Sequence, residues 1–348
     1  MKLETFSAGT ATDRFIADFC ELPGRVRQGR YRAGLLPPET WGLFLSAPFP
    51  FAREFWLCYQ QDRAVGQIGA NVSATYPDVG FFGFFELELK PGYPDTAHAL
   101  VTSACDWLRA QRVKQIIGPV DFSTWFPYRF RLDDGDERIF AWEPVNPPEY
   151  AGLLEAAAFA VADQYSSTAF GDLSAVINKL EPACRHALEA GYSFREFGRA
   201  EIDADLPALY RISLDAFRDN YLFEPISEAL FAQLYVNIAD KEKDNASWFV
   251  IDPAGEEVGF LYAFVDQWRQ AGHMETAVVL KSAAVAAAAR GRALSNALIY
   301  LALTEGLRMG AEYAISALVR SGIQSESYAR KGAFLWRHDY GLWKKSID

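Results

Sequence analysis

One stretch near residue 285 limits the possible folds of this chain more than any other. Thr276–Leu280 is a short apolar run with β-propensity, Val285–Ser295 is rich in small residues, and Asn296–Leu303 has apolar residues at helical spacing. The first N–H groups of such a helix have no intrahelical acceptor, and the helix dipole adds partial positive charge there. The stretch therefore predicts a phosphate or pyrophosphate site, with a solvated turn as the alternative that a short motif leaves open.

Composition favours two folded domains and disfavours a polyanionic partner. The 348 residues exceed one typical domain, and 50% of them are hydrophobic, which is ample material for packed cores. The formal charge is −11, from 45 acidic and 34 basic residues, and no block of Lys or Arg stands out. We therefore expect no nucleic-acid partner, whereas a small anion held by a local site remains compatible with this balance.

The four cysteines give no sign of a metal or redox site. Cys20, Cys58, Cys105 and Cys184 lie far apart, without a Cys-x-x-Cys pair or a neighbouring pair of histidines. No signal peptide is recognisable at Met1, and no run of 18 apolar residues is present. These features predict a cytoplasmic protein with no metal and no membrane association.

The second half of the chain reads as three strands followed by alternating helices and strands. A turn at Asp252–Gly255 separates the first two strands, which predicts a hairpin. The expected elements are strands Trp248–Ile251, Glu257–Val265 and Thr276–Val285, helix Ser295–Met309, strand Tyr313–Val319, helix Gln324–Lys331 and strand Tyr340–Lys344. The first half follows a similar order. The sequence thus predicts an α/β fold with mixed sheets in two tandem domains, residues 1–175 and 176–348, with the boundary between Gly171 and Phe194.

The second half resembles the GNAT superfamily of acyl-CoA N-acyltransferases. Arg290–Ser295 is similar to the family loop Arg/Gln-x-x-Gly-x-Gly/Ala, with Ala293 and Ser295 at positions where glycine is usual. Tyr328–Phe334 is similar to the later pattern of a Tyr before Gly-x-Phe. The resemblance runs over about 140 residues and implies a mixed sheet whose parted strands and loop bind an acyl-CoA.

The first half resembles a partner domain of long bacterial GNAT-like proteins. It contains Val65–Ile68 (Val-Gly-x-Ile), Gly118–Ser123 (Gly-Pro-x-x-Phe-Ser) and Asn146–Tyr150 (Asn-Pro-x-x-Tyr). After its third strand, the stretch Lys90–Asp95 has no Arg/Gln-x-x-Gly-x-Gly loop. We therefore expect a tandem protein whose N-terminal GNAT-like domain lacks the pyrophosphate loop and serves as scaffold.

The resemblance assigns roles to individual residues. Tyr328 lies where the family often has a general acid, and a phenol is almost fully protonated at neutral pH, which suits a proton donor to a thiolate. Glu275 is the preferred candidate for general base, ahead of His273 and Asp266. Ser321 stands in place of a frequent family Asn. The implied CoA contacts are Val285, Arg290, Gly291, Arg292, Ala293, Leu294 and Ser295.

The expected function is transfer of an acyl group from acetyl-CoA or another acyl-CoA to a primary amine of a small molecule, by direct attack. Two alternatives stay open. A degenerate GNAT that binds a ligand or partner without catalysis is favoured by Ala293, Ser295 and Ser321. Aminoacyl transfer from charged tRNA is disfavoured by the acidic balance. The partners expected for the acyltransferase are the small-molecule amine and, in a homodimer, a second copy of the chain.

Overall fold

A computed structural model of the chain describes residues 2–7, 12–27, 41, 45, 49–132, 138–196, 198, 202–241, 245–270, 272–322 and 327–347. These residues form two compact units. Unit 1 comprises Met1–Gln164 together with Asp339–Asp348, and unit 2 comprises Tyr165–His338. No helix in these ranges is long and apolar enough to cross a membrane.

Unit 1 is built on a mixed sheet. Its strands are β1 Lys2–Ser7, β2 Arg53–Gln60, β3 Arg63–Val72, β4 Val79–Leu87, β5 Gln115–Gly118 and β6 Phe130–Arg131, with the first residues of β7 Ala160–Gly171. Its helices are α1 Asp13–Val26, α2 Tyr93–Ala110 and α3 Glu149–Ala156. The strands from β1 to β4 pair antiparallel in chain order, and β4 pairs parallel with β5.

One face of the unit 1 sheet is covered by α2. This helix buries one side at helical spacing, with Ala97, Leu100, Ala104 and Leu108 against β3 and its neighbours. Gly92 precedes the helix with a φ of 90°, a left-handed conformation that glycine adopts without strain. No stretch of small residues with arginines stands between β4 and α2, in agreement with the sequence.

Unit 2 has a similar order of strands and helices. Its strands are β8 Ser193–Glu196, β9 Trp248–Ile251, β10 Glu257–Gln270, β11 His273–Val285 and β12 Tyr313–Arg320, with parts of β7 and of β13 Ala333–Ser346. Its helices are α4 Leu173–Glu189, α5 Ile202–Phe217, α6 Glu228–Lys241 and α7 Leu294–Arg308. The strands from β8 to β11 pair antiparallel, and β11 pairs parallel with β12.

The core of unit 2 lies between its sheet and the pair α4 and α7. Val278 and Leu280 of β11 point to this core, where Ala297, Leu298 and Ala302 of α7 are buried. Gly306 lets the helix approach the sheet, since a Cβ there would lie 2.7 Å from the Cβ of Val278. The predicted strand, loop and helix around residue 285 are therefore present, within three residues of the expected bounds.

Each unit receives its last strand from the other half of the sequence. In unit 1, β5 pairs antiparallel with Trp343–Ser346 at the end of β13. In unit 2, β12 pairs antiparallel with Tyr165–Phe170 of β7. The compact units consequently differ from the predicted ranges 1–175 and 176–348. The boundary between them lies between Gln164 and Tyr165, and the final residues, Asp339–Asp348, belong to unit 1.

The stretch predicted to contain the domain boundary is largely helical. Gly171–Phe194 contains the whole of α4 rather than a linker. Its buried residues, Leu173, Val176, Leu180, Cys184 and Ala187, recur at helical spacing, a signal that the presence of Pro182 obscures. The predicted helix Gln324–Lys331 lies partly outside the described residues, and Ala329–Lys331 form a single 3-10 turn.

The close approach of α7 to the sheet gives a matched pair of stability predictions. Gly306→Ala is expected to lower the free energy of unfolding by about 1–3 kcal/mol, because the new methyl overlaps Val278. At Gly152 in α3 an added methyl meets open space. Gly152→Ala is therefore expected to raise the free energy of unfolding by about 0.5–1 kcal/mol. Urea denaturation of both variants measures the two changes, and equal effects would contradict the packing described here.

Candidate functional site

The central feature of unit 2 is a gap between two parallel strands. β11 and β12 pair from Ala277 and Tyr313 to Leu280 and Ser316, and both strands continue beyond that point. Past it, Ser282–Val285 of β11 pair with Gly259–Tyr262 of β10, and Val319–Arg320 of β12 pair with β7. The backbone groups of Ser282–Val285 that point into the gap can therefore bond a ligand with amide groups.

Irregular strand geometry accompanies the opening of the gap on both sides. On β11, Lys281 is the extra residue of a bulge, since Leu280 and Ser282 oppose consecutive residues of β10. On β12, Ala317 and Leu318 together oppose Ser167, and Leu318 has a φ of 57°. The Leu318 N–H donates to Ser167 Oγ at 2.9 Å. Because bulges bend strands and increase their twist, they account for the divergence of β11 and β12.

The gap opens towards the loop that the sequence singled out. Val285 ends β11, a 3-10 turn covers Ala287–Ala289, and α7 begins at Leu294. Gly291 and Ala293 both have left-handed backbone, with φ of 80° and 56°. No side chain caps α7, and its first turn begins with Asn296 N–H bonded to Ala293 O. The earlier N–H groups are therefore donors for an anion at the helix N-terminus.

Ala293 adopts the conformation for which glycine is usual. Left-handed backbone costs a residue with a Cβ roughly 1–2 kcal/mol, and here Ala293 is the N-cap position of α7. Packing of α7 into the core, including the buried Leu294 and Ala297, maintains this conformation. The backbone at position 293 is therefore left-handed although the residue is alanine.

The two loop arginines contact protein groups. Arg290 donates from Nε to Val285 O at 3.3 Å and from a guanidinium nitrogen to Ala216 O at 2.9 Å, which ties the loop to the end of α5. Arg292 donates to the Tyr192 hydroxyl and lies over its ring at 5.9 Å. Both residues remain exposed, so their charge still contributes to the field at the loop.

Asp215 fixes the start of the loop. Its Oδ2 accepts a hydrogen bond from Ala287 N at 2.6 Å, and its carboxylate also pairs with Arg218. The Ala287 N–H, followed by Arg218 and Arg290, holds the pKa of Asp215 below its ordinary value. The loop conformation is thus supported by one carboxylate that the sequence did not suggest.

Tyr328 lies beside the first turn of α7. Lys331 connects the two elements, since its Nζ donates to Asn296 Oδ1 at 3.2 Å and lies 5.8 Å from the centre of the Tyr328 ring. Burial lowers the pKa of Lys331. Tyr328 itself is half-buried and packs against the unit 2 core. The structure therefore brings the predicted general acid and the predicted pyrophosphate loop to one end of the sheet.

Glu275 lies at the opposite end of β11. It precedes Leu280, where the gap opens, by five residues, and five residues of strand span about 16 Å. Its Oε2 accepts a hydrogen bond from the Tyr313 hydroxyl at 2.7 Å. His273 is exposed at the start of β11, and Asp266 lies on β10 opposite Ala277. The predicted bases are thus separated from the loop residues, and the role of Glu275 as base stays a prediction.

In unit 1 the corresponding gap is filled by the chain itself. β4 and β5 pair from Val79 and Gln115 to Phe81 and Ile117, and the segment Val120–Ser123 then lies along β4. Asp121 Oδ1 accepts a hydrogen bond from Phe84 N at 2.5 Å, and the ring of Phe122 packs on that of Phe84 with centroids 4.8 Å apart. Burial raises the pKa of Asp121 to about 7. No ligand can enter unit 1 by this route without displacing these groups.

Comparison with known proteins places this geometry in a known fold. A tandem GNAT protein from the clavulanic acid biosynthesis pathway matches 99% of this chain and 98% of its own, with a TM-score of 0.58 and 16% identity. A probable N-acyltransferase from Enterococcus faecalis matches with a TM-score of 0.55 and 10% identity, covering all of this chain and 73% of that one. A GCN5-related N-acetyltransferase from Anabaena variabilis gives 0.53 and 9%, with the same two coverages. No family model matches the chain.

One curated relative matches part of this chain in sequence. A bacterial ceramide synthase from Caulobacter vibrioides is 25% identical over 237 residues, which are 63% of this chain. The match covers 56% of that relative, so this chain spans little more than half of it. The structural likenesses confirm the predicted fold class, a mixed α/β fold of two tandem GNAT-like units.

The role of Asp215 gives a prediction with a defined pH dependence. A carboxylate with a lowered pKa contributes stability above the pKa of the unfolded chain, about 3.9, and this contribution is lost as the pH falls through the folded-state value. Asp215→Asn is therefore expected to be less stable than the wild type at about pH 7, with a smaller difference at about pH 3.

Thermal unfolding at the two pH values measures this difference. Asp219→Asn is the matched control, because Asp219 is exposed and the substitution removes the same charge from a neighbouring position. A difference between Asp215→Asn and the wild type that is independent of pH would contradict the assigned role of the carboxylate.

Proposed function

We propose that this protein is an acyl-CoA-dependent N-acyltransferase that acts on a primary amine of a small molecule. The observation that carries the proposal is the gap between β11 and β12, which leads from Leu280 and Ser316 to the uncapped N-terminus of α7. One end of this gap offers backbone groups to amides, and the other offers N–H donors to a pyrophosphate. The pantetheine arm and the diphosphate of an acyl-CoA have this combination of groups in this order.

The reaction is assigned to direct attack of the amine on the thioester. The amine nitrogen forms a C–N bond with the carbonyl carbon, the C–S bond breaks, and the thiolate of CoA takes a proton from the Tyr328 hydroxyl. The nitrogen loses its proton to water, and solvent restores that of Tyr328. The protein supplies alignment of the two reactants along the gap and a proton donor near the loop.

The conformation of Ala293 supports an active site rather than a degenerate one. Ala293 is one of three residues that favour a loop without CoA binding, because a Cβ disfavours positive φ. Ala293 has a φ of 56° all the same, and the N–H groups of the following turn face no capping side chain. The name of the Caulobacter relative also fits N-acylation, because a ceramide is the amide of a fatty acid and an amino alcohol.

Binding of CoA to the α7 N-terminus is tested by adding a negative charge there. Ser295→Glu is expected to weaken CoA binding by at least about tenfold, because the new carboxylate repels the pyrophosphate, while the helix dipole keeps the fold stable. Calorimetric titration with CoA gives the dissociation constants.

Ser174→Glu is the matched control. Ser174 occupies the second position of α4, as Ser295 does in α7, and it is exposed. It is expected to leave CoA binding unchanged. Equal weakening by both variants, or no CoA binding by the wild type at millimolar concentration, would contradict the proposed site.

The role of Tyr328 is tested by removing only its hydroxyl. Tyr328→Phe is expected to lower kcat for acyl transfer by about 100-fold or more, because a positioned general acid contributes about that factor. The affinity for CoA is expected to stay the same. Thiol release during turnover measures kcat, and Tyr300→Phe, a half-buried tyrosine of α7, serves as control. An unchanged kcat in Tyr328→Phe would remove the residue from the mechanism.

A further inference from the structure

Three aromatic side chains from different strands meet near the start of β12. Tyr313 begins β12, Trp268 belongs to β10 and Trp336 to β13. The ring centroids of Trp268 and Trp336 lie 6.1 and 6.2 Å from that of Tyr313. Both indoles are nearly perpendicular to the phenol, at 80° and 84°. The three rings come together only through the sheet, because they are far apart in sequence.

Carboxylates accompany these rings on the same face of the sheet. Glu275 lies opposite Trp268 in the register of β10 and β11, and it accepts the hydrogen bond of the Tyr313 hydroxyl. Asp266 precedes Trp268 by two residues, which directs its side chain to the same face. We call Trp268, Glu275, Tyr313 and Trp336 the aromatic–acid cluster.

The cluster reaches the surface of unit 2. Trp268, Glu275 and Trp336 are each half-buried, and Tyr313 is buried. The Tyr340–Glu143 hydrogen bond of unit 1 differs, because both of its side chains are buried in the core. Partly exposed indoles beside a carboxylate combine the two groups that attract organic cations, a π face and a negative charge. The acidic balance of the chain, with a net charge of −11, adds to this attraction.

The distance from the cluster to the gap defines what kind of cation fits. Tyr313 precedes Ser316, the last paired residue of β12, by three residues, and three residues of strand span about 10 Å. A charge held by the cluster is therefore too far from the opening of the gap to be the nitrogen that attacks the thioester. It has to be a second, distal charge on the same acceptor.

We infer that the aromatic–acid cluster binds the distal ammonium of the acceptor, whose class is a linear diamine or polyamine with amino groups about 10 Å apart. This inference rests on the proposed function, since the proximal amine is the group that is acylated. Glu275 then serves as counter-charge for the acceptor, a role that its distance from the gap permits, whereas proton removal at the thioester requires hydrogen-bond reach.

The test compares two acceptors of equal length in one enzyme. Octylamine and diaminooctane differ only in the distal ammonium, and the ratio of their kcat/KM values with acetyl-CoA reports its recognition. We expect the wild type to prefer the diamine by about tenfold or more, through KM, and Glu275→Gln and Trp336→Leu each to abolish most of this preference. The ratio is insensitive to partial unfolding of a variant, because both acceptors meet the same folded fraction.

Glu312→Gln is the matched control. Glu312 is exposed and lies next to Tyr313 in sequence, and its substitution by Gln removes the same charge as Glu275→Gln. It is expected to retain the preference. A wild-type ratio near one, or a preference that survives both Glu275→Gln and Trp336→Leu, would overturn the inference while leaving acyl transfer in place.

Failure of the proposed function has a different signature. If no amine is acylated, calorimetric titration of the CoA-free protein with diaminooctane tests the cluster by itself. Binding that Glu275→Gln removes and Glu312→Gln keeps would support the cation site independently of the reaction. No binding of diaminooctane by the wild type would overturn it.

Discussion

Everything proposed for this protein depends on the point at which two parallel strands stop sharing hydrogen bonds. Backbone groups in a sheet are normally satisfied by the neighbouring strand, and an unpaired edge requires another partner. β11 and β12 pair only as far as Leu280 and Ser316, and bulges at Lys281 and Leu318 turn the two strands away from each other. The gap is held open from outside, because β10 and β7 bind the far edges of the same two strands.

The two units have the same strand order but differ in the segment that follows the second strand of the parallel pair, which is Val120–Ser123 in unit 1. In unit 1, the residues after β5 continue along β4, and Asp121 and Phe122 occupy the space that is open in unit 2. Gly83 permits this close approach, since a Cβ there would lie 2.4 Å from Val120 O. A buried carboxylate and a phenylalanine thus lie in unit 1 where the strands of unit 2 are parted.

Local sequence patterns predicted the parts of the site that are local. The run from Thr276 to Leu303 has strand and helix periodicity with small residues between, and the structure contains that strand, loop and helix. Lys331 was missed, although it lies three residues after Tyr328, a spacing that often brings side chains together. The left-handed backbone of Ala293 could not be read from its own side chain, because alanine has no preference for it.

Features that depend on distant pairing were out of reach of such patterns. Trp268, Tyr313 and Trp336 meet because β10, β12 and β13 take alternate positions in the sheet, with β11 and β7 between them, and strand order is not encoded in any one segment. The helix α4 was not predicted, although its apolar residues recur at helical spacing, and the predicted domain boundary was placed across it instead. The aromatic–acid cluster and the extent of each unit therefore emerged only with the sheet.

The origin of the last strand in each unit has a consequence for the evolution and handling of the chain. A fragment ending at residue 175 would lack Trp343–Ser346, and one starting at 176 would lack Tyr165–Phe170, so each would carry an exposed edge on β5 or β12. A cut between residues 175 and 176 would therefore remove a strand from each unit. β13 itself begins in unit 2 and ends in unit 1, so one strand belongs to both.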